Sequence, residues 1–467
     1  MLKKLFGNAQ FYKKVFIVVI PIIIQNFITQ FVSMLDNIMV GQTGTLQMSA
    51  VSIVNQLLFV FNICCFGAVS GAGIFTAQYY GKGDMDGVRY THRFKAFVCA
   101  IIAVLGVVLF IFLDKPLISL FLQGDGSITD IEGTTEYAKQ YLFVMIFGLP
   151  PFAISSAYAD TLRSVKQTVV PMIASISAVL INLVLNYILI FGHFGAPAMG
   201  VVGAAVATVI SRYVEMLIVV CWMHFNPKKN PYVVGVYRSL YIEKTILKQM
   251  IFKGLPLLLN EALWAISMAM LSQCYSTRGL AVVAAQSISS TMFNLSSVVY
   301  MSMGIAVGII IGQMLGSGES NENVRDTDRK LITLSVLSCV LFGGIMAATS
   351  SLFPLIYNTS AEVRSLASVL ICISAIIMPF NAFAHSAYFT LRSGGKTAIT
   401  FIFDSGYKCL ITLPIVLVLT YATSIPIIPL YSICLSTEIF KCFLGGAFLK
   451  SNMWLKNLTT PETPQPE

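Results

Sequence analysis

Charge is scarce in this chain. Only 11% of its 467 residues are Asp, Glu, Lys or Arg, against 56% hydrophobic ones, and the mean hydropathy is +0.79. A soluble domain carries roughly a quarter charged residues, so the soluble globular class is excluded. Histidine is rarer still: His92, His193, His224 and His385 are scattered, with no HxxxH pair, and suggest no metal site. The ten cysteines include no CxxC; Cys64, Cys65, Cys99, Cys339 and Cys434 sit inside apolar runs, where a thiol acts as a small packing residue. No Walker loop is present, so ATP hydrolysis is not expected, and "GAVSGAG" at 67–73 follows no strand and reads as helix-packing glycine. Serines abound without a nucleophile–base constellation, so the chain is not expected to be an enzyme. The alternating ten-residue runs of a membrane barrel are missing too.

What is there is a succession of apolar runs of about 20 residues, each long enough to cross a ~30 Å hydrocarbon layer as a helix. Twelve spans are expected, at about 15–39, 50–75, 93–113, 138–159, 168–191, 200–223, 250–275, 281–312, 331–353, 366–390, 398–420 and 426–449. The fold class is therefore an all-α membrane protein. The net charge of +9 sits in the short loops, and orients the spans rather than recruiting nucleic acid. One set of alternate loops holds Lys82, Arg89 and Arg93; Arg163 and Lys166; Lys228, Lys229, Arg238, Lys244 and Lys248; Arg325, Arg329 and Lys330; Arg392 and Lys396. The other set offers Lys115, Lys139, Arg278 and Arg364, and the loop at 114–137 is acidic (Asp114, Asp125, Asp130, Glu132, Glu136). By the positive-inside rule both termini are expected in the cytoplasm of a multi-pass protein of the cell membrane. Lys3, Lys4, Lys13 and Lys14 precede "VFIVVIPIII" as in a signal peptide, but no small-residue cleavage site follows, so this span is read as uncleaved.

Two stretches repeat with one offset. "AVSI" at 50–53 matches "AQSI" at 285–288, and "GIFTAQYYGKGD" at 73–84 matches "GIIIGQMLGSGE" at 308–319, pairing Gly73/Gly308, Gln78/Gln313, Gly81/Gly316 and Gly83/Gly318. "SAYADTLRS" at 156–164 echoes "SAYFTLRS" at 386–393 with one gap. The matches fall at corresponding ends of the second and eighth and of the fourth and tenth spans. Six spans separate each pair, so the halves share one orientation: a parallel repeat of two pseudo-symmetric six-helix bundles, as transporters use. The expected organisation is an N-terminal lobe at 1–225, a cytoplasmic connection at 226–249, a C-terminal lobe at 250–450 and a disordered cytoplasmic tail at 451–467.

Most intramembrane charges have a helical neighbour of opposite sign: Arg212 and Glu215, Asp404 and Lys408, Glu438 and Lys441, Asp160 and Arg163. Asp36, in "FVSMLDNIMVGQTG", and Glu261, in "GLPLLLNEALWAIS", have none. A carboxylate in hydrocarbon costs about 2.5 to more than 10 kcal/mol. Such an acid faces a cavity, binds a cation, is protonated, or is hydrogen-bonded to a neighbouring helix. The fifth span, "SAVLINLVLNYILIFG", puts Asn182 and Asn186 on one face, either as carbonyl ligands for a small hard cation beside a carboxylate or as interhelical hydrogen-bonding groups. Thr208 adds a hydroxyl ligand or packs against a small-residue helix face. Pro21 marks a hinge or a static kink.

On "LDNIMVGQTG" ending the first span, "QYYGKGD" with "QMLGSGE" after the second and eighth, and "LRS" after the fourth and tenth, residues 10–450 resemble the multidrug and toxic compound extrusion family. The resemblance implies that Asp36 binds Na⁺ or a proton, with Pro21 as the bending proline and Asn182 and Thr208 as further ligands. Asn186 stands where some members have aspartate, so this site carries one charge fewer. Glu261 lies about one turn from the glutamate of one branch, and Asn381 replaces that branch's aspartate; together they are a candidate substrate or second proton site, weaker than the N-lobe site.

The expected activity is export of a small amphipathic, cationic compound in exchange for inward Na⁺ or H⁺, with no cofactor and Asp36 as the only metal ligand of charge, if the ion is sodium. Partners are expected to be a small-molecule substrate and membrane lipid, with no nucleic acid, for a chain acting as a monomer. The rival readings are a flippase of lipid-linked precursors, a membrane-embedded sensor without transport, and a channel. A flippase needs an unpaired arginine set for pyrophosphate, which the central spans lack.

Overall fold

The computed structural model describes residues 5–119, 128–357 and 359–460. Lys3, Lys4, Asp125, the side chain of Asp130 and residues 461–467 lie outside the described residues. Among the described residues all regular secondary structure is helical, without strands. Twelve helices are long and apolar enough to cross a membrane: α1 (Ala9–Gly41), α2 (Leu46–Lys82), α3 (Met85–Phe112), α4 (Ile131–Ser164), α5 (Val169–Phe191), α6 (Gly200–Phe225), α7 (Lys244–Ser276), α8 (Ala281–Gly316), α9 (Asn321–Ala348), α10 (Ala361–Ser393), α11 (Thr397–Tyr421) and α12 (Ile427–Lys450). Each overlaps one of the expected spans, and most extend beyond it because several of the expected loops are helical; α9 instead stops at Ala348, five residues short of the expected end at 353.

Helices form here because every backbone polar group in hydrocarbon must be satisfied within its own segment. Large apolar side chains such as Val104, Phe112, Leu341, Ile376 and Leu410 remain exposed on their outer faces, as lipid contact requires. Pro21, Pro256 and Pro379 lie inside helices. In α4 a short 3-10 turn at Ile146–Gly148 precedes Pro150 and Pro151, where a proline ring no longer clashes with a preceding carbonyl. Two stretches of α11, Ile402–Gly406 and Lys408–Thr412, are wound as π-helix.

The chain divides into two compact units. One comprises Ile24–Thr76 and Met85–Met250; the other comprises the N-terminal residues up to Ile23, Ala77–Asp84 and Ile251 onwards. The boundary thus falls inside α1, two residues after Pro21. In the first unit Val54, Phe61, Cys65, Cys99, Leu142 and Ala205 belong to one apolar core. In the second, smaller clusters form around Leu271 and Val416, around Ala285 and Leu370, and around Tyr300 and Met378. The ten cysteines are free thiols.

The segment 226–249 packs with the first unit. Arg93 donates to the carbonyls of Gly235, Val236 and Tyr241, Arg89 donates to Tyr232 O, and Tyr232 is fully buried. Tyr237 shares a 2.6 Å hydrogen bond with Tyr158, and burial pushes its phenol above the ordinary range.

The repeated glycines have a direct physical reason. In the second unit the ends of α2 and α8 cross backbone against backbone: a Cβ on Gly81 would lie 2.0 Å from Gln313 O, and one on Gly316 would lie 1.9 Å from Gln78 O. Gln78 and Gln313 are themselves repeat partners, so each copy of the motif supplies the glycine that the other copy's carbonyl needs.

The tail expected to be disordered is packed as far as Thr460. Gln78 Oε1 accepts from Leu458 N at 2.6 Å, Gln78 Nε2 donates to Ser393 O at 2.8 Å and Lys456 O at 3.2 Å, and Trp454 is buried. A buried glutamine and the carbonyls of the crossing helices need partners, and this polar segment supplies them.

Candidate functional site

Asp36 stands in the last third of α1, and side chains from two other helices of its unit converge on it. Asn186 of α5 donates through Nδ2 to Asp36 Oδ1 at 2.8 Å. Asn182, one turn earlier on the same face, has one end of its amide 2.9 and 3.0 Å from the two carboxylate oxygens. Its other end is 3.2 Å from Thr208 Oγ1 of α6. Which end is nitrogen is an assignment from the surrounding partners. With nitrogen towards the carboxylate, Asn182 donates to Asp36 and accepts from Thr208. With oxygen towards it, Asn182 accepts from Asn186 at 3.1 Å, and three oxygens face one another, a repulsion that a proton or cation between them relieves.

Asn182 and Asn186 are 6% and 2% exposed, which leaves little water to satisfy them. Asn186 Oδ1 is buried without a hydrogen-bond partner, an orphaned carbonyl beside the carboxylate. Buried polar atoms are rarely left so. One carboxylate with neutral amide and hydroxyl oxygens is the donor set of a small hard cation, and equally a site for one proton. Among the described residues no ion pair involves Asp36, and none holds a group of three or more His, Cys, Asp or Glu side chains able to bind a metal.

Asp36, Asn182, Asn186 and Thr208 are therefore brought together. Pro21 is buried earlier in α1. Glu261 and Asn381 lie in the other unit, and no hydrogen bond or ion pair among the described residues joins them.

The ion pairs expected within helices divide. Arg212–Glu215 at 3.3 Å and Glu438–Lys441 at 3.6 Å form as expected. Asp160 pairs instead with Lys95 of α3 at 2.7 Å, because that lysine is fully buried and needs a counter-charge. Arg163 turns away to Gln25 Oε1 at 3.2 Å. Asp404 and Lys408 also part. The π-winding of α11 takes residues four apart off a common face, so Asp404 meets Lys441 at 2.7 Å and Lys408 meets Glu438 at 3.9 Å.

Residues outside the expected set form a second polar array, and it is duplicated. In α1, Gln25 donates to Ser175 of α5 at 2.6 Å, and Ser175 donates to Glu215 of α6 at 2.6 Å. In α7, Asn260 O accepts from Ser405 of α11 at 2.6 Å, and Asn260 Nδ2 donates to Asp404 at 3.0 Å, which holds Lys441 of α12. Gln25 and Asn260 each follow a helix proline, Pro21 or Pro256, by four residues. That shared spacing is the sequence signal for the array.

Twelve spanning helices and the repeat together define a class: a multi-pass helical membrane protein built from two six-helix halves, the architecture of a transporter. The MatE family model matches residues 21–188 and 256–421, starting once at each of these prolines. The chain belongs to the MatE family, the multidrug and toxic compound extrusion transporters. It is 25% identical over 437 residues to a probable multidrug resistance protein NorM of Thermotoga maritima, covering 94% of this chain and 92% of that one. It is 24% identical over 360 residues to the multidrug resistance protein MdtK of Edwardsiella ictaluri, covering 76% of each. Among solved structures it matches an outward-facing multidrug resistance MATE transporter of the MOP superfamily with a TM-score of 0.86, at 18% identity and 97% coverage of both chains. A MATE structure in the bent conformation matches with a TM-score of 0.84, at 18% identity and 97% coverage of both chains.

Proposed function

We propose that this transporter exports drugs, as its relatives' multidrug resistance names suggest, and that these are small amphipathic, cationic compounds. Inward Na⁺ or H⁺ drives export by occupying Asp36, with Asn182, Asn186 and Thr208 as neutral ligands. The observation that carries the reading is a half-buried carboxylate without an ion pair, beside an orphaned buried carbonyl of Asn186. An ion at Asp36 changes the local charge by one unit. If the two access states differ in affinity for that ion and for the substrate, each ligand shifts the equilibrium between them and the two flows become coupled. Pro21, beside the division of α1 between the units, acts as the hinge in this scheme. The chain works as a monomer in the cell membrane with both termini in the cytoplasm, and it needs no cofactor.

The test is ethidium efflux from proteoliposomes under separately imposed Na⁺ and proton gradients. Wild type is expected to respond to one of the two, and D36N to lose the response while still inserting and folding. Gradient-driven efflux by D36N at the wild-type rate would remove Asp36 from the mechanism. Conduction without counter-transport would point to a channel, and no movement under either gradient to a sensor or to a flippase of a lipid-linked precursor.

A further inference from the structure

An arginine stands one helical turn from the Asp36 group, and a neighbouring acid holds it. Arg212 lies one helical turn beyond Thr208 on α6, near enough for its charge to act on Asp36. Its ion-pair partner is Glu215 at 3.3 Å, and its guanidinium stacks 4.8 Å from the ring centroid of Phe152. The Arg212 side chain is 37% exposed and that of Glu215 15%.

The two partners are not held equally. Glu215 Oε1 accepts from Ser175 at 2.6 Å, and Ser175 in turn accepts from Gln25 Nε2 at 2.6 Å. Gln25 Oε1 accepts from Arg163 at 3.2 Å. Side chains of α1, α4 and α5 thus fix Glu215 in place. Arg212 is a long, flexible side chain, and its guanidinium donates to that fixed carboxylate. Lys95 pairs with Asp160 and Arg163 donates to Gln25, while the charge of Arg212 acts on two acids, Glu215 and Asp36.

We propose that Glu215, anchored by Ser175 and Gln25, is a positioning residue that keeps Arg212 off Asp36 and thereby sets the affinity of the ion site for its coupling cation. When Asp36 holds the ion, Arg212 rests on Glu215. When Asp36 is vacant and anionic, Arg212 divides its time between the two carboxylates and competes with the incoming ion. The proposal rests on the reading of Asp36 as the coupling site. It adds a second function to the Gln25–Ser175–Glu215 array: the anchorage that α1 gives the competitor's partner lies just after Pro21.

The test measures the half-saturating concentration of the coupling cation for ethidium efflux from proteoliposomes, Na⁺ or H⁺ as wild type requires. E215Q keeps the shape of the side chain, and its hydrogen bonding to Ser175, but releases Arg212. It is expected to raise the half-saturating concentration about tenfold with a maximal rate within about twofold of wild type. R212Q is expected to lower that concentration, and the R212Q/E215Q double variant to match R212Q, because without the arginine there is nothing for Glu215 to restrain. A purely structural role for Glu215 predicts a loss of maximal rate that R212Q does not repair, and that result overturns the proposal. So does an E215Q half-saturation within twofold of wild type. If E215Q fails to accumulate in membranes, R212Q alone decides: a fall supports the proposal, and no change or a rise overturns it. A D36N protein that retains gradient-driven efflux refutes the coupling-site reading itself. An unshifted E215Q together with an inactive D36N refutes only the competitor.

Discussion

Adding a single methyl group where α2 and α8 cross tests the physical meaning of the repeat. In G316A the new carbon would lie 1.9 Å from Gln78 O, and in G81A 2.0 Å from Gln313 O, where ordinary van der Waals contact begins at 3.4 Å. The obstacles are backbone carbonyls inside helices, which cannot rotate away as a side-chain tip does. The helices must therefore separate by about 1.5 Å, loosening the neighbouring contact of Gly312 with Ala77. Overpacking of this kind typically costs about 1–3 kcal/mol. For a chain of this size that is a fall of roughly 1–3 °C in the unfolding midpoint. The two sites are not independent, since a separation forced by one methyl makes room for the other, so G81A/G316A should cost clearly less than the sum of its parts. G344A is the control, because a Cβ there meets nothing within 4 Å. The assay is the unfolding midpoint of detergent-solubilised protein followed by loss of the monodisperse chromatographic peak. Single variants as stable as G344A, or strictly additive effects, would refute the account of the crossing.

Two further predictions concern charge. N186D places a second carboxylate within hydrogen-bonding reach of Asp36, where Nδ2 now sits 2.8 Å away. Like charges about 4 Å apart repel by about 4 kcal/mol at an effective dielectric of 20, so the pair should bind its cation more tightly. The half-saturating Na⁺ or proton concentration for efflux should then fall, and an unchanged value would count against a cation at this place. K441M removes the ammonium that lies 2.7 Å from Asp404 and 3.6 Å from Glu438. Leaving buried acids uncompensated costs about 3–5 kcal/mol, so thermal stability should drop sharply, with much of it regained in D404N/K441M.

Long apolar runs made all twelve helices legible before any coordinates, because nothing but a helix satisfies its own backbone in hydrocarbon. The Asp36 group was legible for a related reason. An acid without a helical neighbour of opposite sign, and two asparagines one turn apart on another span, are local patterns that survive into three dimensions. Partners from other helices were not legible. Asp160 has Arg163 three residues on and nevertheless turns to Lys95, because the fully buried lysine has the larger need. Asp404 and Lys408 carry helical spacing in a stretch wound as π-helix, and nothing in "FIFDSGYKCLIT" announces that winding. The packed segment up to Thr460 was missed because its composition is polar. Composition reports that a stretch cannot build a core, and says nothing of whether a glutamine elsewhere needs its backbone.

On the reading proposed here, the duplicated array explains why an ion from solution can be taken up at Asp36 but not at Asp404 or Glu438. Both halves of the repeat place an amide four residues after a helix proline and, beside it, a serine on their fifth helix. Beyond that the charges diverge. In the second unit an acid from α11 and an acid from α12 meet covalently attached ammoniums, Lys441 for both and Lys408 for Glu438 as well. Their positive charge is always present, whatever the concentration of ions in solution, so this cluster has no free valence for a gradient to fill. In the first unit the cation of the array, Arg212, is matched by its own acid, Glu215, and Asp36 is left over with neutral ligands only. A leftover acid can be neutralised only from solution, and occupancy that depends on solution is what a gradient can drive. An ammonium placed beside Asp36 by substitution would give the first unit the self-sufficiency of the second. A protein altered in that way should keep its fold and lose its response to the gradient.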